Sequence, residues 1–393
     1  MEFEDYFKYF DSSLRLAMIP RFKWSQRSAE EDLYPTFRRA FFLLGSFCLA
    51  YQCIGVIIDW SIYGRKAADT QSFVAEISEA TGALMLVAVG FFNICVLSNR
   101  RPEIEILLTD LRELYPRPRD RNYRQQYYFQ MANGLMKFEF IYFWMFTMYY
   151  NIAPLVVMMY EYQMDGMEMR YKTQINTWYP WNVYGSAIGY GVGHFATLIA
   201  SIEGVAFSLG THNIISIITY QLKLHFDAIS NQLLKLDSRH PGANQELRRL
   251  IAYHSHVIQI ANDFNEIMNF SFLGGLFFST TALCMTSVAI VLLDLQSAIK
   301  CINGLIAFIV YNFVICFLGT EFTLASGKVL PAAFYNNWYE GDLAYRRMLL
   351  ILMMRATKPY MWRTYKLAPV SITTYMATLK FSYQMFTCVR SLK

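Results

Sequence analysis

Apolar residues fall in long unbroken stretches separated by polar, mostly basic connections. A bilayer core about 30 Å thick asks for roughly 20 predominantly apolar residues per helix. Six stretches meet that length: Ala40–Trp60, Ile77–Leu97, Phe140–Tyr160, the longer Trp181–Leu222, Phe272–Leu293 and Cys301–Thr323. A seventh, Ser371–Val389, is more polar. Beyond the spans the pattern changes to a helical period. Leu222, Phe226, Ile229, Leu233 and Leu236 recur at threes and fours, as do Leu250, Val257, Ile260, Phe264 and Ile267. Spans four and five are therefore expected to continue past the bilayer as amphipathic helices. Another short helix is expected over Leu343–Met354. Near the start, Phe3, Tyr6, Phe7, Phe10 and Leu14 share helical spacing. Such a helix suits either the inner membrane surface or the protein's own inner face. No cleavable signal pattern precedes the spans.

The expectation is an all-α, polytopic membrane protein with seven transmembrane helices, several extended into a cytosolic assembly domain. It forms one unit over 1–393: an N-terminal segment 1–39, six spans with their loops over 40–323, a linker with a short helix over 324–370, and the seventh span within 371–393. Composition agrees. Hydrophobic residues make up 55% and charged residues only 17%, against about 25% charged in soluble domains.

Lysine and arginine placement sets the orientation. Of the 35 basic residues, 26 fall on the side of the N-terminus and 7 on the other. The N-terminus is thus cytosolic and the C-terminus extracellular. That topology argues against a G-protein-coupled receptor, whose N-terminus lies outside. The sequon Asn269-Phe270-Ser271 falls on the inner side, where it is not used.

Little in the chain suggests reaction chemistry. The seven cysteines are scattered without a C-x-x-C pair, so neither a zinc nor a redox signature exists. His254 and His256 lack carboxylate or thiolate partners at ligand spacing. No phosphate loop, nucleophile elbow or carboxylate pair appears, so no enzyme, cofactor or metal is expected. A net charge of +5 is too small to suggest nucleic acid. The run Gly189-Tyr190-Gly191-Val192-Gly193 looks like a selectivity-filter fragment, but it lies inside the fourth span. Small residues admitting a neighbouring helix explain it better. Glu203 and Glu321 are expected near the inner ends of spans four and six.

The seventh span is two-faced. Thr373, Ala377, Lys380, Gln384 and Thr387 follow one three-four stripe, opposite Ile372, Met376, Leu379, Tyr383 and Phe386. Polar groups facing lipid are costly. The stripe therefore faces either a water-filled axis, with one helix per subunit, or the interior of a single bundle.

Several motifs resemble the insect odorant receptor family. Tyr375…Leu379-Lys380-Phe381-Ser382-Tyr383…Phe386-Thr387…Arg390 is similar to its closing motif. Tyr253-His254 followed by Asn262…Asn265-Glu266-Ile267 resembles its pattern before the fifth span. Cys316…Gly319…Glu321…Ser326…Ala333-Phe334-Tyr335…Trp338-Tyr339 and Met353-Met354-Arg355…Lys358-Pro359 resemble its linker. The resemblance is dense over roughly 250–390 and faint before it. It implies an odour-tuned subunit rather than the longer universal co-receptor. Such a subunit belongs to a ligand-gated, non-selective cation channel in the plasma membrane of olfactory sensory neurons. Four subunits, co-receptor included, form a hetero-tetramer through their inner domains. The seventh helices line the pore in the bilayer, with Thr373, Ala377, Lys380, Phe381 and Gln384 as the implied pore residues. Lys380 sits awkwardly there, since a cation repels permeant cations. The implied site for a small volatile odorant lies in the outer half of the bundle. It includes Ala83, Tyr149, Tyr150, Ala187, Ile188, Tyr190, His194, Ile306 and Phe308. The alternatives are a gustatory-type receptor channel opened by a tastant, and a secondary transporter, which is disfavoured by the lack of internal repeats.

Overall fold

The computed structural model describes residues 2–19, 35–63, 70–117, 123–165, 171–293, 295–365 and 367–391. Of the basic residues that set the orientation, Arg21, Lys23, Arg27, Arg65, Lys66, Arg119, Arg121, Arg170, Lys366 and Lys393 lie outside the described residues. A 3-10 turn, Phe3–Phe7, leads into α1 (Lys8–Leu16). Then follow α2 (Pro35–Tyr63), α3 (Thr70–Asn99), α4 (Arg101–Leu114) and α5 (Gln125–Asp165). The second half comprises α6 (Ala187–Lys235), α7 (Ala243–Leu292), α8 (Leu295–Gly327), α9 (Val329–Phe334), α10 (Leu343–Ala356) and α11 (Ile372–Ser391). Two antiparallel two-residue strands, β1 (Arg363–Thr364) and β2 (Ala368–Pro369), form a small hairpin before α11.

Among the described residues six helices are long and apolar enough to cross a membrane; five of them cover their expected stretches to within a residue, and the other covers the fourth stretch only from Ala187 onward. The more polar α11, 20 residues long, is not among them. With 49 and 50 residues, α6 and α7 each rise about 75 Å at 1.5 Å per residue. That is more than twice a bilayer core. Their far halves converge with α9 and α10 into a helical platform. The fourth stretch begins later than its hydropathy suggests. Ser186 caps α6 by accepting the Gly189 amide at 3.3 Å, so Trp181–Gly185 belongs to the preceding loop.

The N-terminal aromatics resolve in favour of the protein over the membrane surface. Phe3, Tyr6, Phe7, Phe10 and Leu14 are all buried. Tyr6 packs edge-on to Phe129 at 5.1 Å, Phe3 to Tyr115 at 5.7 Å, and Glu4 pairs with Arg112 at 2.8 Å. The second of these contacts depends on α4, an amphipathic helix that buries Ile104, Leu107, Leu108 and Leu111 and ends just before Tyr115. Each large side chain buried this way contributes about 1.5–3 kcal/mol.

The platform is tied by two neighbouring amides. Asn336 donates to the carbonyls of Leu233 and Leu236 at 2.8 and 2.6 Å, satisfying the open end of α6. Its own oxygen accepts from the Tyr345 hydroxyl at 2.9 Å. Asn337 donates to Asp237 at 2.7 Å and accepts the Ser238 amide at 3.0 Å. Gly242, at φ 100°, supplies the left-handed residue that lets the chain turn into α7.

Trp362 is fully buried, stacked on Phe322 at 4.5 Å and edge-on to Phe264 at 5.1 Å. The Val370 amide returns to its carbonyl at 2.9 Å. This pins the hairpin, and Thr320 on α8 accepts the first amide of α11 at 2.9 Å. From there α11 runs along α7 and α8, its Ser382 hydroxyl donating to the Leu283 carbonyl at 3.0 Å.

Candidate functional site

The centre of the bundle holds an inner cavity of about 100 Å³. Helical periodicity builds its walls. On α6 the lining positions are Thr197, Ala200, Ser201, Gly204, Val205 and Ser208. On α5 they are Phe143, Phe146, Thr147 and Tyr150, and on α8 Ala307, Phe308 and Tyr311. Leu86, Val87, Val89 and Gly90 of α3, with Leu49 and Gln52 of α2, complete the sides. Gln174 and Ile175, from the loop before α6, close one end.

These walls are chemically apolar although several carry hydroxyls. Thr147, Thr197, Ser201 and Ser208 donate to carbonyls of their own helices, at 2.8, 2.9, 2.8 and 2.8 Å. Back-bonding of this kind uses up the donor proton. The space between the walls therefore suits a small, mostly apolar molecule held by dispersion and burial. Two glycines make the cavity possible. A Cβ on Gly90 would lie 2.8 Å from the Gly204 Cα, so α3 and α6 touch backbone to backbone there.

Beyond Phe143 and Tyr311 lies a buried polar pair. Glu139 and His212 are 0% and 1% exposed at the side chain and meet at 2.5 Å. The imidazole sits against Tyr311 with ring centroids 4.4 Å apart, and the Tyr311 hydroxyl accepts from Asn93 at 3.4 Å.

A second, outer cavity of about 480 Å³ lies beside the first. It is lined by Glu79, Tyr149, Tyr150, Lys172, Asn176, Tyr184 and Lys300, among others. Its charges are matched: Lys300 pairs with Glu79 at 3.1 Å and Lys172 with Glu161 at 2.5 Å.

Of the implied ligand residues, Tyr150 and Phe308 line the inner cavity, and Tyr149 joins Tyr150 in the outer one. Ala83, Ala187, Ile188, Tyr190, His194 and Ile306 line neither. Ala83 packs against the hydrophobic core. Ala187, Ile188 and Ile306 are exposed, Ile188 at 81%. Tyr190 donates to the Lys172 carbonyl at 3.0 Å and stacks on Tyr171 and His194, so it braces the loop. The physical reason is depth. The cavity face of α6 begins at Thr197, nearly three turns further along than Ala187. The sequence reading missed that face, the α2 contribution and the loop residues Gln174 and Ile175.

Thr373, Ala377, Lys380, Phe381 and Gln384 are all exposed on α11. The opposing stripe is only partly covered: Ile372, Leu379 and Phe386 are half-buried, Met376 and Tyr383 exposed. Tyr375 and Ser382 are the buried positions of α11, Tyr375 edge-on to Phe313 at 5.7 Å.

Other singled-out residues have structural roles. The glycine run forms regular first turns of α6, where Gly189 abuts Asn182 and Gly193 abuts Tyr179 and Val183. Its small residues thus admit the preceding loop rather than another helix. Glu203 lies deep in the bundle, wholly buried, accepting from Ser46 at 3.2 Å. Glu321 pairs with Lys223. His254 packs edge-on to Phe226 at 6.0 Å. Among the described residues no group of His, Cys, Asp and Glu could hold a metal ion.

Fold and cavity together define a multi-pass helical membrane protein with an apolar chamber inside its bundle. A sequence profile described as 7tm odorant receptor matches residues 74–383. The chain is 55% identical over 393 residues, all of both chains, to odorant receptor 69a, isoform A, of Drosophila melanogaster. It is 41% identical, again over the whole of both chains, to isoform B of that receptor. The insect olfactory receptor OR5 of Machilis hrabei, solved in complex with eugenol, has the same fold: TM-score 0.75 with 100% of both chains covered, at 13% identity. The chain belongs to the insect odorant receptor family. Its full-length kinship is with an individual odorant receptor rather than with the family's co-receptor, and it is a receptor, not an enzyme.

Proposed function

We propose that this protein is the odorant-binding subunit of a ligand-gated, non-selective cation channel, and that the inner cavity is its odorant site. The observation that carries this reading is the apolar chamber inside the bundle, with Tyr150 and Phe308 in its wall. A small volatile there is bound chiefly by apolar burial and dispersion. Opening follows only if the ligand prefers the open conformation.

On this reading seven helices cross the bilayer, α11 among them, with the N-terminus cytosolic and the C-terminus extracellular. The surplus of basic residues on the platform side supports that orientation. On the same reading the chain is one unit: segment 1–39, bundle 40–323, linker 324–370 and pore helix 371–393. The platform is the cytosolic assembly domain. Leu343, Leu350, Ile351 and Met354 of α10 lie outside the candidate membrane spans yet are exposed, as expected of a surface that another subunit covers. Four subunits, including the co-receptor, place α11 helices around the pore, and the exposed face bearing Thr373, Ala377, Lys380, Phe381 and Gln384 turns toward neighbours and axis. The site of action is the plasma membrane of olfactory sensory neurons.

The test is voltage-clamp recording from oocytes expressing this chain with and without the co-receptor. The perfused panel comprises eugenol and linear alcohols, ketones and methyl esters. Inward cation currents only on co-expression are expected. Silence across the panel, with both subunits at the surface, contradicts the reading.

A further inference from the structure

The two cavities share two wall residues, Tyr150 and Gln174. On one side lies the larger chamber with matched charges, on the other the small apolar one. These two side chains form the shared wall, Tyr150 packed against Phe146 and Tyr149 with ring centroids 4.8 and 6.0 Å apart. Tyr150 donates a single hydrogen bond, at 3.2 Å, to the Lys300 carbonyl on α8. Its hydroxyl lies over Gly304, where a Cβ would approach it to 3.1 Å. Gln174 comes from a loop rather than a helix and donates to Asn151 at 2.6 Å. Asn151 is in turn fixed on Ser201 at 3.0 Å. The partition thus rests on one rotatable side chain with a weak catch and one firmer post.

We propose that the outer chamber is the port by which ligand reaches the inner cavity, and that Tyr150 swings against Gln174 as the door. The proposal rests on the odorant-site reading above. It also names the ligand class. The chamber's paired cations and anions present no single-sign field to draw an ion. The apolar cavity beyond penalises any charge. What passes is a compact neutral molecule, soluble enough to arrive through water, with at most one small polar group. A half-buried ring held by one hydrogen bond can still rotate, so the catch sets a rate rather than a block.

The experiment uses the co-expressed channel in rapid-perfusion patch recordings, with the panel named above. Asn176, exposed and lining the outer chamber, is replaced by cysteine and reacted from outside with a bulky benzophenone methanethiosulfonate. Ile188→Cys and the unsubstituted protein, treated identically, are the controls. Labelled N176C is expected to slow current onset about tenfold while both controls are unaffected. In Tyr150→Phe, which keeps the ring and loses the catch, onset and washout both quicken, by about two- to tenfold. A residue that merely touches bound ligand would change washout alone. Unaltered onset in labelled N176C, or a Tyr150→Phe effect confined to washout, overturns the door. Silence of the unsubstituted channel overturns the odorant reading itself, so the two failures are distinguishable.

Discussion

Gly90 on α3 and Gly204 on α6 cross so closely that a side chain on the first would strike the backbone of the second, at 2.8 Å. The reverse is not true. A Cβ on Gly204 would meet the Leu49 side chain at 3.5 Å and the Gly90 Cα at 3.7 Å, ordinary packing distances. Gly90→Ala must push the two helices apart beside the inner cavity, whereas Gly204→Ala fits. The expected outcome is a destabilisation of about 1–3 kcal/mol for Gly90→Ala and near-native behaviour for Gly204→Ala. Thermal unfolding of the detergent-solubilised protein checks this, and equal effects of the two substitutions would contradict the asymmetry.

Asn336 is buried and donates to both Leu233 and Leu236. Asn336→Ala strands the Leu236 carbonyl and the Tyr345 hydroxyl and leaves the Leu233 carbonyl only the Leu236 amide at 3.4 Å, at a cost of about 1–3 kcal/mol per unsatisfied group before relaxation. A fall in Tm of a few degrees and reduced subunit assembly are expected. Tyr345→Phe, which removes only one partner, should do less. A Tyr345→Phe effect as large as that of Asn336→Ala would place the key contact elsewhere.

Asp237 gives the platform a pH signature. Asn337 first, then the Arg239 amide and guanidinium, donate to its carboxylate and hold it down to about 2 from an ordinary 3.8. A lowered folded-state value means that the stabilisation is fully present above the ordinary value and is lost as pH falls through about 2. The difference in Tm between native protein and Asp237→Asn should be constant at neutral and mildly acidic pH. It should shrink only below pH 3.8. A gap that closes between pH 7 and 5 would implicate another group. Because Asp237 is exposed to solvent, the effect should be small and should weaken in salt.

The two faces of α11 predict a cysteine-accessibility pattern. Thr373, Ala377 and Gln384 are exposed, while Tyr375 and Ser382 pack on α7 and α8. In the assembled channel a small cationic thiol reagent should reduce current through Ala377→Cys and Gln384→Cys but leave Ser382→Cys untouched. Lys380→Gln should raise cation conductance if its ammonium faces the axis. No change would turn it toward a neighbouring subunit.

Much of the scaffold was readable from the chain alone because long apolar runs and three-four spacing report burial directly. Six spans, the extended α6 and α7, and α10 all appear where that signal is strong. α4 escaped because its 14 residues lie in an arginine-rich connection whose charges mask the Ile104, Leu107, Leu108, Leu111 stripe. The cavity was harder. Across Thr197–Ser208, the part of α6 that lines the cavity, every position is buried or half-buried, so burial periodicity cannot say which face lines a chamber. Gln174 and Ile175 lie in a loop with no period at all. The family resemblance carried the implied site to the start of α6, where Ile188 faces outward. Tyr150 and Phe308, implied by the same resemblance, line the cavity.

The central claim is that ligand acts from the inner cavity, and cavity-filling tests it most directly. Ala307 lines that cavity and is buried, whereas Ile188 lines neither chamber. Dose-response curves of the co-expressed channel are measured for Ala307→Phe and Ile188→Phe, with surface delivery monitored for both. The account predicts that Ala307→Phe raises the half-maximal concentration at least about tenfold, equivalent to about 1.4 kcal/mol of lost binding. Ile188→Phe should leave the curve in place. An unchanged curve for Ala307→Phe, with the shift appearing at Ile188→Phe, would contradict it and move the odorant to the outer start of α6.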